Sequence, residues 1–117
     1  MVNHWMIVTT AVLVETLRVC EATGLDPRAF EEYLRGSPPL EMSYALGKLA
    51  EMREHDYPVG FPVRLAAKDL RLVSEVSRHA ALNAPLLDAT IERFTETMAA
   101  HADDDVAAVY EVVSAKR

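Results

Sequence analysis

The sequence is poor in cysteine and in clustered metal ligands. It has one cysteine, Cys20, which cannot form an internal disulfide bond and is typical of a reducing compartment, so we expect a cytoplasmic protein. Its apolar, helix-like surroundings favour a small buried side chain over a nucleophile. The histidines are scattered, with no two at a four-residue step, and we expect no metal site: His4, His55, His79 and His101.

Glycine and basic charge are also scarce. The four glycines form no glycine-rich phosphate loop. Lys and Arg number 12 against 18 Asp and Glu, for a formal net charge of −6, and the basic residues do not cluster. We therefore expect no binding to nucleic-acid phosphates, and a helix-turn-helix nucleic-acid binder is disfavoured.

The longest apolar stretch, Trp5 to Val14, contains two threonines and is followed by Glu15 and Arg18. It is shorter than the roughly 20 residues that a membrane span needs, and no basic residue precedes it. The stretch is therefore predicted to be neither a signal peptide nor a transmembrane helix, and we expect no membrane association.

The remaining pattern is helical. Half of the residues are hydrophobic and 26% are charged, as in globular proteins. Apolar residues recur at three- and four-residue steps, and no segment alternates with a period of two. We predict an all-α, single-domain bundle of about six helices, over residues 2–23, 27–35, 40–55, 62 to about 81, 85–101 and 106 to about 115.

Local signals set several of these boundaries. Gly24 ends the first helix, Asp26 and Pro27 begin the second, and Asp105 caps the last. The first helix is apolar almost all round in its first half, so we expect a partner chain or a further domain to cover part of it. The third helix is predicted to bury one side, made of Leu40, Tyr44, Leu46, Leu49 and Met52.

The functional prediction depends mainly on the stretch Phe61 to Val73, FPVRLAAKDLRLV. Pro62 is predicted to open its helix. Lys68, Arg71 and Glu75 share a second face, where we expect chemistry, although a Lys-Asp pair on a helix is usually a solvated surface feature. The predicted core face is made of Leu65, Ala66, Leu70, Leu72, Val73 and Val76.

These features resemble the C-terminal helical domain of the NAD(P)-dependent β-hydroxyacid dehydrogenases, which include 3-hydroxyisobutyrate dehydrogenase, and of the related 6-phosphogluconate dehydrogenase-like enzymes. The resemblance covers essentially the whole chain, residues 1–117. The features that carry it are Met1-Val2-Asn3-His4-Trp5 opening an apolar helix, Gly24-Leu25-Asp26-Pro27, Phe61 ahead of Lys68-Asp69-Leu70, and Asp105 with Ala107-Ala108.

The resemblance implies a cofactor-binding set. Phe61 would lie near the nicotinamide end of NAD or NADP, Lys68 would reach the bound dinucleotide, and Asp69 would order the site beside it. A cationic head on a long apolar stem suits contact with phosphate, ribose or carboxylate across a domain boundary. Most of the cofactor would be held by a Rossmann domain outside this sequence.

The resemblance also implies a substrate side. Asn3 matches the first of two family asparagines and His4 replaces the second, so both are candidate substrate-binding residues. The family's catalytic lysine would lie just before Met1, which leaves no catalytic residue in this chain. The substrate would be a small hydroxy acid or semialdehyde.

Two functions remain open. In the first, the chain is the substrate-side and dimerisation domain of such an oxidoreductase, pairs with a second copy or a Rossmann domain, and is inactive alone. In the second, it is a non-catalytic helical interaction module derived from that fold. Replacement of Lys68 by alanine should weaken ligand binding only under the first.

Overall fold

A computed structural model, which describes residues 1–113, confirms the all-α fold. No β-strand forms within these residues, and the one β-bridge joins Pro62 to Asp105. The elements are α1 Val2–Thr23, α2 Pro27–Arg35, α3 Ser43–Glu54, α4 Val63–His79, α5 Pro85–His101 and a 3₁₀ helix Val106–Glu111.

Helix α1 contacts more elements than any other helix within residues 1–113, because it packs against each of the other five. Its buried face is made of Ile7, Thr10, Leu13, Val14, Leu17 and Cys20. The opposite side keeps large apolar residues in solvent: Trp5 is 59% exposed and Val12 is 53% exposed. Within residues 1–113, α1 is therefore covered on one side, and the expectation of a partner over the other side stays a prediction.

The boundaries of α1, α2 and α5 agree with the sequence prediction. Gly24 ends α1 in the left-handed region, at φ 78°, which glycine adopts without steric cost. The Asp26 carboxylate caps α2 by accepting a hydrogen bond from the Arg28 backbone N–H at 2.9 Å.

The predicted start of α3 at Leu40 is wrong. The backbone N–H groups of Leu40 and Glu41 both bond to the Ser37 carbonyl, at 2.8 and 2.9 Å, and so extend the proline turn. Met42 is extended, and the helix begins at Ser43. Leu40 is consequently 58% exposed and takes no part in the apolar side predicted for this helix.

Helix α4 is shorter at both ends than predicted. Pro62 is the N-cap and not the first helical residue, because its backbone is extended where it bridges to Asp105. The helix ends at His79 and not near Ala81. Leu72 and Val76, predicted to face the core, are half exposed, because the buried side of α4 is the one that carries Val63, Ala66 and Leu70.

The last predicted helix, residues 106 to about 115, is a 3₁₀ helix that ends at Glu111, and Ala115 lies outside the described residues. Every residue from Val106 to Tyr110 is buried. This short helix contacts α1, α3, α4 and α5, so it forms the centre of the bundle.

No helix within residues 1–113 has the length and apolar character needed to cross a bilayer. In the same range, no group of three or more His, Cys, Asp or Glu side chains is placed to hold a metal ion.

Candidate functional site

A cleft lies where the start of α1, helix α3 and the loop before α4 meet. Its volume is about 340 Å³. Two of the residues singled out from sequence, Asn3 and Phe61, line it. The complete lining is Asn3, Met6, Tyr44, Lys48, Gly60, Phe61 and Val106.

Asp105 organises the back of this cleft. Its side chain is fully buried. Its Oδ1 accepts hydrogen bonds from the backbone N–H groups of Gly60 and Phe61, both at 3.0 Å. Its Oδ2 accepts one from the Ala107 N–H at 3.0 Å, and so caps the 3₁₀ helix. The carboxylate therefore fixes the loop that carries Phe61 to the centre of the bundle.

Lys48 neutralises this buried carboxylate. Its ammonium lies 2.6 Å from Asp105 Oδ2 and 3.0 Å from Glu51 Oε1, and its side chain is only 12% exposed. Burial opposes the charge of Lys48, but the hydrogen bonds to Asp105 and Glu51 outweigh burial and raise its pKa.

The same balance acts on Asp105. Burial by itself would raise the carboxyl pKa, but the hydrogen bonds from Lys48 and from the backbone of Ala107, Phe61 and Gly60 outweigh it and lower the pKa. Lys48 and Asp105 are therefore both charged near neutral pH.

Tyr44 presents a hydroxyl beside the same cleft. Its oxygen is 2.6 Å from Thr10 Oγ1, and Thr10 donates its single proton to the Met6 carbonyl at 2.9 Å. Tyr44 must therefore be the donor in its bond to Thr10, which leaves the phenol oxygen as an acceptor. Burial raises the pKa of Tyr44, so the phenol stays protonated.

Asn3 and Asp69 lie together. The Asn3 side-chain nitrogen donates to Asp69 Oδ2 at 2.9 Å, which joins the start of α1 to the middle of α4. His4 lies beside them in a second cleft of about 250 Å³, which shares Asn3 with the first. Its lining is Met1, Asn3, His4, Asp69, Leu72 and Val73.

Lys68 lies apart from these contacts. It is exposed, it lines neither cleft, and it forms no ion pair with another residue in the range 1–113. The structure thus brings Asn3, His4 and Asp69 together, places Phe61 on the neighbouring cleft, and leaves Lys68 on the surface.

Sequence reasoning missed Lys48 and Tyr44 as residues of this site. Their spacing on α3 reads as an ordinary amphipathic helix, since both follow a three- and four-residue pattern with apolar neighbours. The available signal was the lysine in the apolar stretch GKLA. Lysine is rarely buried unless it is paired, so its position there indicated a partner of opposite charge.

A second polar cluster holds the other end of the 3₁₀ helix. The carboxylate of Glu111 accepts a hydrogen bond from the Tyr57 hydroxyl and lies 2.6 Å from His55 Nδ1. The Tyr110 hydroxyl donates to Glu21, while the Arg18 guanidinium lies 3.7 Å from the centre of the Tyr110 ring. These contacts tie the 3₁₀ helix to α1 and to the end of α3, away from the cleft.

The sequence of the chain matches one protein family. Residues 1–113 match the family described as NAD-binding of NADP-dependent 3-hydroxyisobutyrate dehydrogenase. Among curated protein sequences, none matches the chain.

Two solved structures share the fold. One is 3-hydroxyisobutyrate dehydrogenase from Salmonella typhimurium, with a TM-score of 0.84 and 18% identity over 95% of this chain and 39% of that one. The other is 3-hydroxyisobutyrate dehydrogenase from Mycobacterium tuberculosis, described with L-serine, with a TM-score of 0.79 and 22% identity over 97% of this chain and 41% of that one. The chain thus spans about two fifths of the length of these structures.

Proposed function

Because the chain belongs to the family of NAD-binding domains of NADP-dependent 3-hydroxyisobutyrate dehydrogenase, we propose that it is the helical part of an NAD(P)-dependent oxidoreductase acting on a small hydroxy acid or semialdehyde. The family match over residues 1–113 is the observation that carries this proposal. When bound, the nicotinamide supplies the hydride chemistry, and the protein positions it against the substrate.

The cleft residues fit such a cofactor chemically. Phe61 offers an aromatic face next to the apolar side chains of Met6 and Val106, which suits a planar ring. Asn3 gives one amide hydrogen to Asp69 and keeps its carbonyl oxygen and second hydrogen for a ligand, so Asp69 acts as a positioning residue.

Lys68 has a different role in this proposal. Its exposed ammonium would meet a phosphate or a carboxylate that approaches from a dinucleotide-binding domain. His4, in the cleft shared with Asn3, would contact the substrate. No glycine-rich phosphate loop occurs among the four glycines, so we expect no turnover from these 117 residues alone.

Calorimetric titration of the chain with NADPH and NADH tests the proposal. We expect binding tighter than about millimolar, weakened at least about tenfold by Lys68→Ala. Arg78→Ala is the matched control, because Arg78 is an exposed cation at the far end of α4. Absence of dinucleotide binding, or equal losses in both variants, would refute the assigned role of Lys68.

Titration with L-serine and with 3-hydroxyisobutyrate tests the substrate side. L-serine is named with the Mycobacterium tuberculosis structure, and both compounds are small hydroxy acids. We expect Asn3→Ala to weaken whichever of them binds, because it removes the amide that faces both clefts. Unchanged binding in that variant would remove Asn3 from the substrate site.

We also propose that a second copy covers the exposed side of α1. Val12 and Leu86, which is 70% exposed, line a shallow apolar groove between α1 and α5. Burying such side chains in a dimer removes apolar surface from water. Val12→Glu should shift the mass in sedimentation toward the monomer, whereas Leu25→Glu, at a 62% exposed site near the end of α1, should not.

The exposed apolar side of α1 also favours the alternative, a non-catalytic helical interaction module. A stable dimer that binds neither dinucleotide nor hydroxy acid would support this second function. The cytoplasmic location stays a prediction.

A further inference from the structure

Three groups facing the cleft form a fixed pattern of donors and acceptors. Lys48 has three ammonium hydrogens, of which Asp105 and Glu51 accept two, and the third has no acceptor among residues 1–113. The phenol oxygen of Tyr44 is an acceptor, because its proton goes to Thr10. Asn3 adds a carbonyl oxygen and its second amide hydrogen, since the first hydrogen goes to Asp69. The cleft thus offers two donor hydrogens, on Lys48 and Asn3, and two acceptor oxygens, on Tyr44 and Asn3.

The local charge is negative in spite of the lysine. Lys48 contributes one positive charge, while Asp105 and Glu51 together contribute two negative charges within 3.0 Å of its ammonium. A ligand carboxylate at the free ammonium hydrogen would therefore meet one attractive and two repulsive charges. A neutral carbonyl oxygen accepts the same hydrogen without that repulsion.

A carboxamide satisfies the whole pattern. Its oxygen would accept from Lys48, and its NH₂ group would donate to Tyr44 or to Asn3. A carboxylate has acceptors only, so it would leave the Tyr44 oxygen without a donor. Phe61, Met6 and Val106 supply the apolar wall that a flat ring bearing this group needs.

We propose that Lys48 and Tyr44 form a subsite for a neutral aromatic carboxamide, and that Lys48, held by two carboxylates, selects this group over the corresponding carboxylate. This inference rests on the proposed function, in which the carboxamide belongs to the nicotinamide of the cofactor. Lys48 and Tyr44 are specificity-determining residues in this assignment, and Glu51 is a positioning residue that sets the charge of the subsite.

The test compares nicotinamide mononucleotide with nicotinic acid mononucleotide by NMR titration of the 117-residue chain. The two probes differ only in the group proposed to meet Lys48, and both NAD and NADP contain the nicotinamide half. We expect the nicotinamide form to bind about tenfold more tightly, with shifts at Tyr44 and Phe61. Equal or tighter binding of the nicotinic acid form would overturn the proposal.

Two variants distinguish an effect on ligand binding at the subsite from an effect on folding stability. Glu51→Gln removes one negative charge while Lys48 keeps its bond to the buried Asp105, so the preference should fall to about threefold or less. Tyr44→Phe removes the acceptor and should weaken nicotinamide mononucleotide about tenfold while leaving the nicotinic acid form unchanged. Thermal unfolding of both variants checks that they fold. An unchanged preference in folded Glu51→Gln would overturn the charge argument.

The outcomes also distinguish this inference from the function on which it rests. Dinucleotide binding that depends on Lys68, without a preference between the mononucleotides, would refute the carboxamide subsite alone. Failure of the dinucleotides and of both mononucleotides would refute the subsite and the proposed function together. If 3-hydroxyisobutyrate shifts Tyr44 and the mononucleotides do not, the cleft is a substrate site and the carboxamide assignment is wrong.

Discussion

Replacing Asp105 with alanine removes the acceptor that joins three segments of the bundle. The side chain is fully buried, and its loss leaves the Ala107 N–H and the Phe61 N–H without their partner. An unsatisfied buried donor costs about 1 to 3 kcal/mol, and breaking a buried ion pair costs about 3 to 5 kcal/mol. Because Glu51 still neutralises Lys48, we place the loss near the lower bound, at about 3 kcal/mol.

Urea denaturation followed by circular dichroism measures this loss as a change in the free energy of unfolding. Asp103→Ala is the matched control, because Asp103 lies two residues earlier in the same acidic run but is 88% exposed and pairs with Arg64. Removing an exposed pair costs about 0 to 1 kcal/mol. Asp105 thus acts as a clamp that joins Lys48 of α3, the loop at Gly60 and Phe61, and the 3₁₀ helix. Equal losses for the two variants would refute this clamp role.

The contribution of this clamp to the free energy of unfolding should also depend on pH. The pKa of Asp105 is lower in the folded chain than its usual value, so its stabilising contribution is present above the usual carboxyl pKa and is lost as pH falls through the lower folded value. Asp105→Asn abolishes this ionisation. The difference in unfolding free energy between wild type and Asp105→Asn should therefore shrink in acid, and a difference that stays constant down to strongly acidic pH would contradict the shift.

Two further predictions concern the polar cluster at the other end of the 3₁₀ helix. Glu111→Gln replaces a carboxylate that accepts from Tyr57 and His55, and should cost about 1 to 3 kcal/mol in urea denaturation; a loss below about 0.5 kcal/mol would show that these bonds do not hold the helix. Burial and the bond to Glu21 raise the pKa of Tyr110 to about 12, so its stabilising effect is present below the usual tyrosine pKa and is lost as pH rises through about 12. Ultraviolet titration of wild type against Tyr110→Phe should show this late ionisation, and a difference curve centred near pH 10 would contradict it.

Boundaries that depend on local chemistry were predictable from sequence. Asp26 and Pro27 begin α2 because a carboxylate cap and a proline at the first position act within a single turn. The start of α3 was not predictable in this way, because Leu and Glu both favour helices, while the N–H groups of Leu40 and Glu41 bond back to the Ser37 carbonyl. The residue types in a short segment do not distinguish an extended turn from the first turn of a helix.

The candidate site was predictable only in part, for a different reason. The resemblance to a known family singled out Asn3, Phe61 and Asp69, and the fold places the first two on one cleft and the third against Asn3. Lys48 carried no such signal, because the partner that buries it, Asp105, lies 57 residues away. An ion pair between distant positions becomes visible only once the fold brings α3 and the 3₁₀ helix together.

The acidic run at 103–105 shows why such a pair cannot be deduced from residue type. Asp103 is exposed against Arg64, Asp104 lies 2.8 Å from His101, and Asp105 is fully buried against Lys48. The bridge between Pro62 and Asp105, with the Val106 N–H bonded to the Phe61 carbonyl at 2.9 Å, turns the third carboxylate inward. Because of the direction of the chain at that bridge, Asp105 is buried, whereas Asp103 and Asp104 are not. The same bridge sets Phe61 on the rim of the cleft, so the stability of the clamp and the shape of the proposed carboxamide subsite depend on one carboxylate.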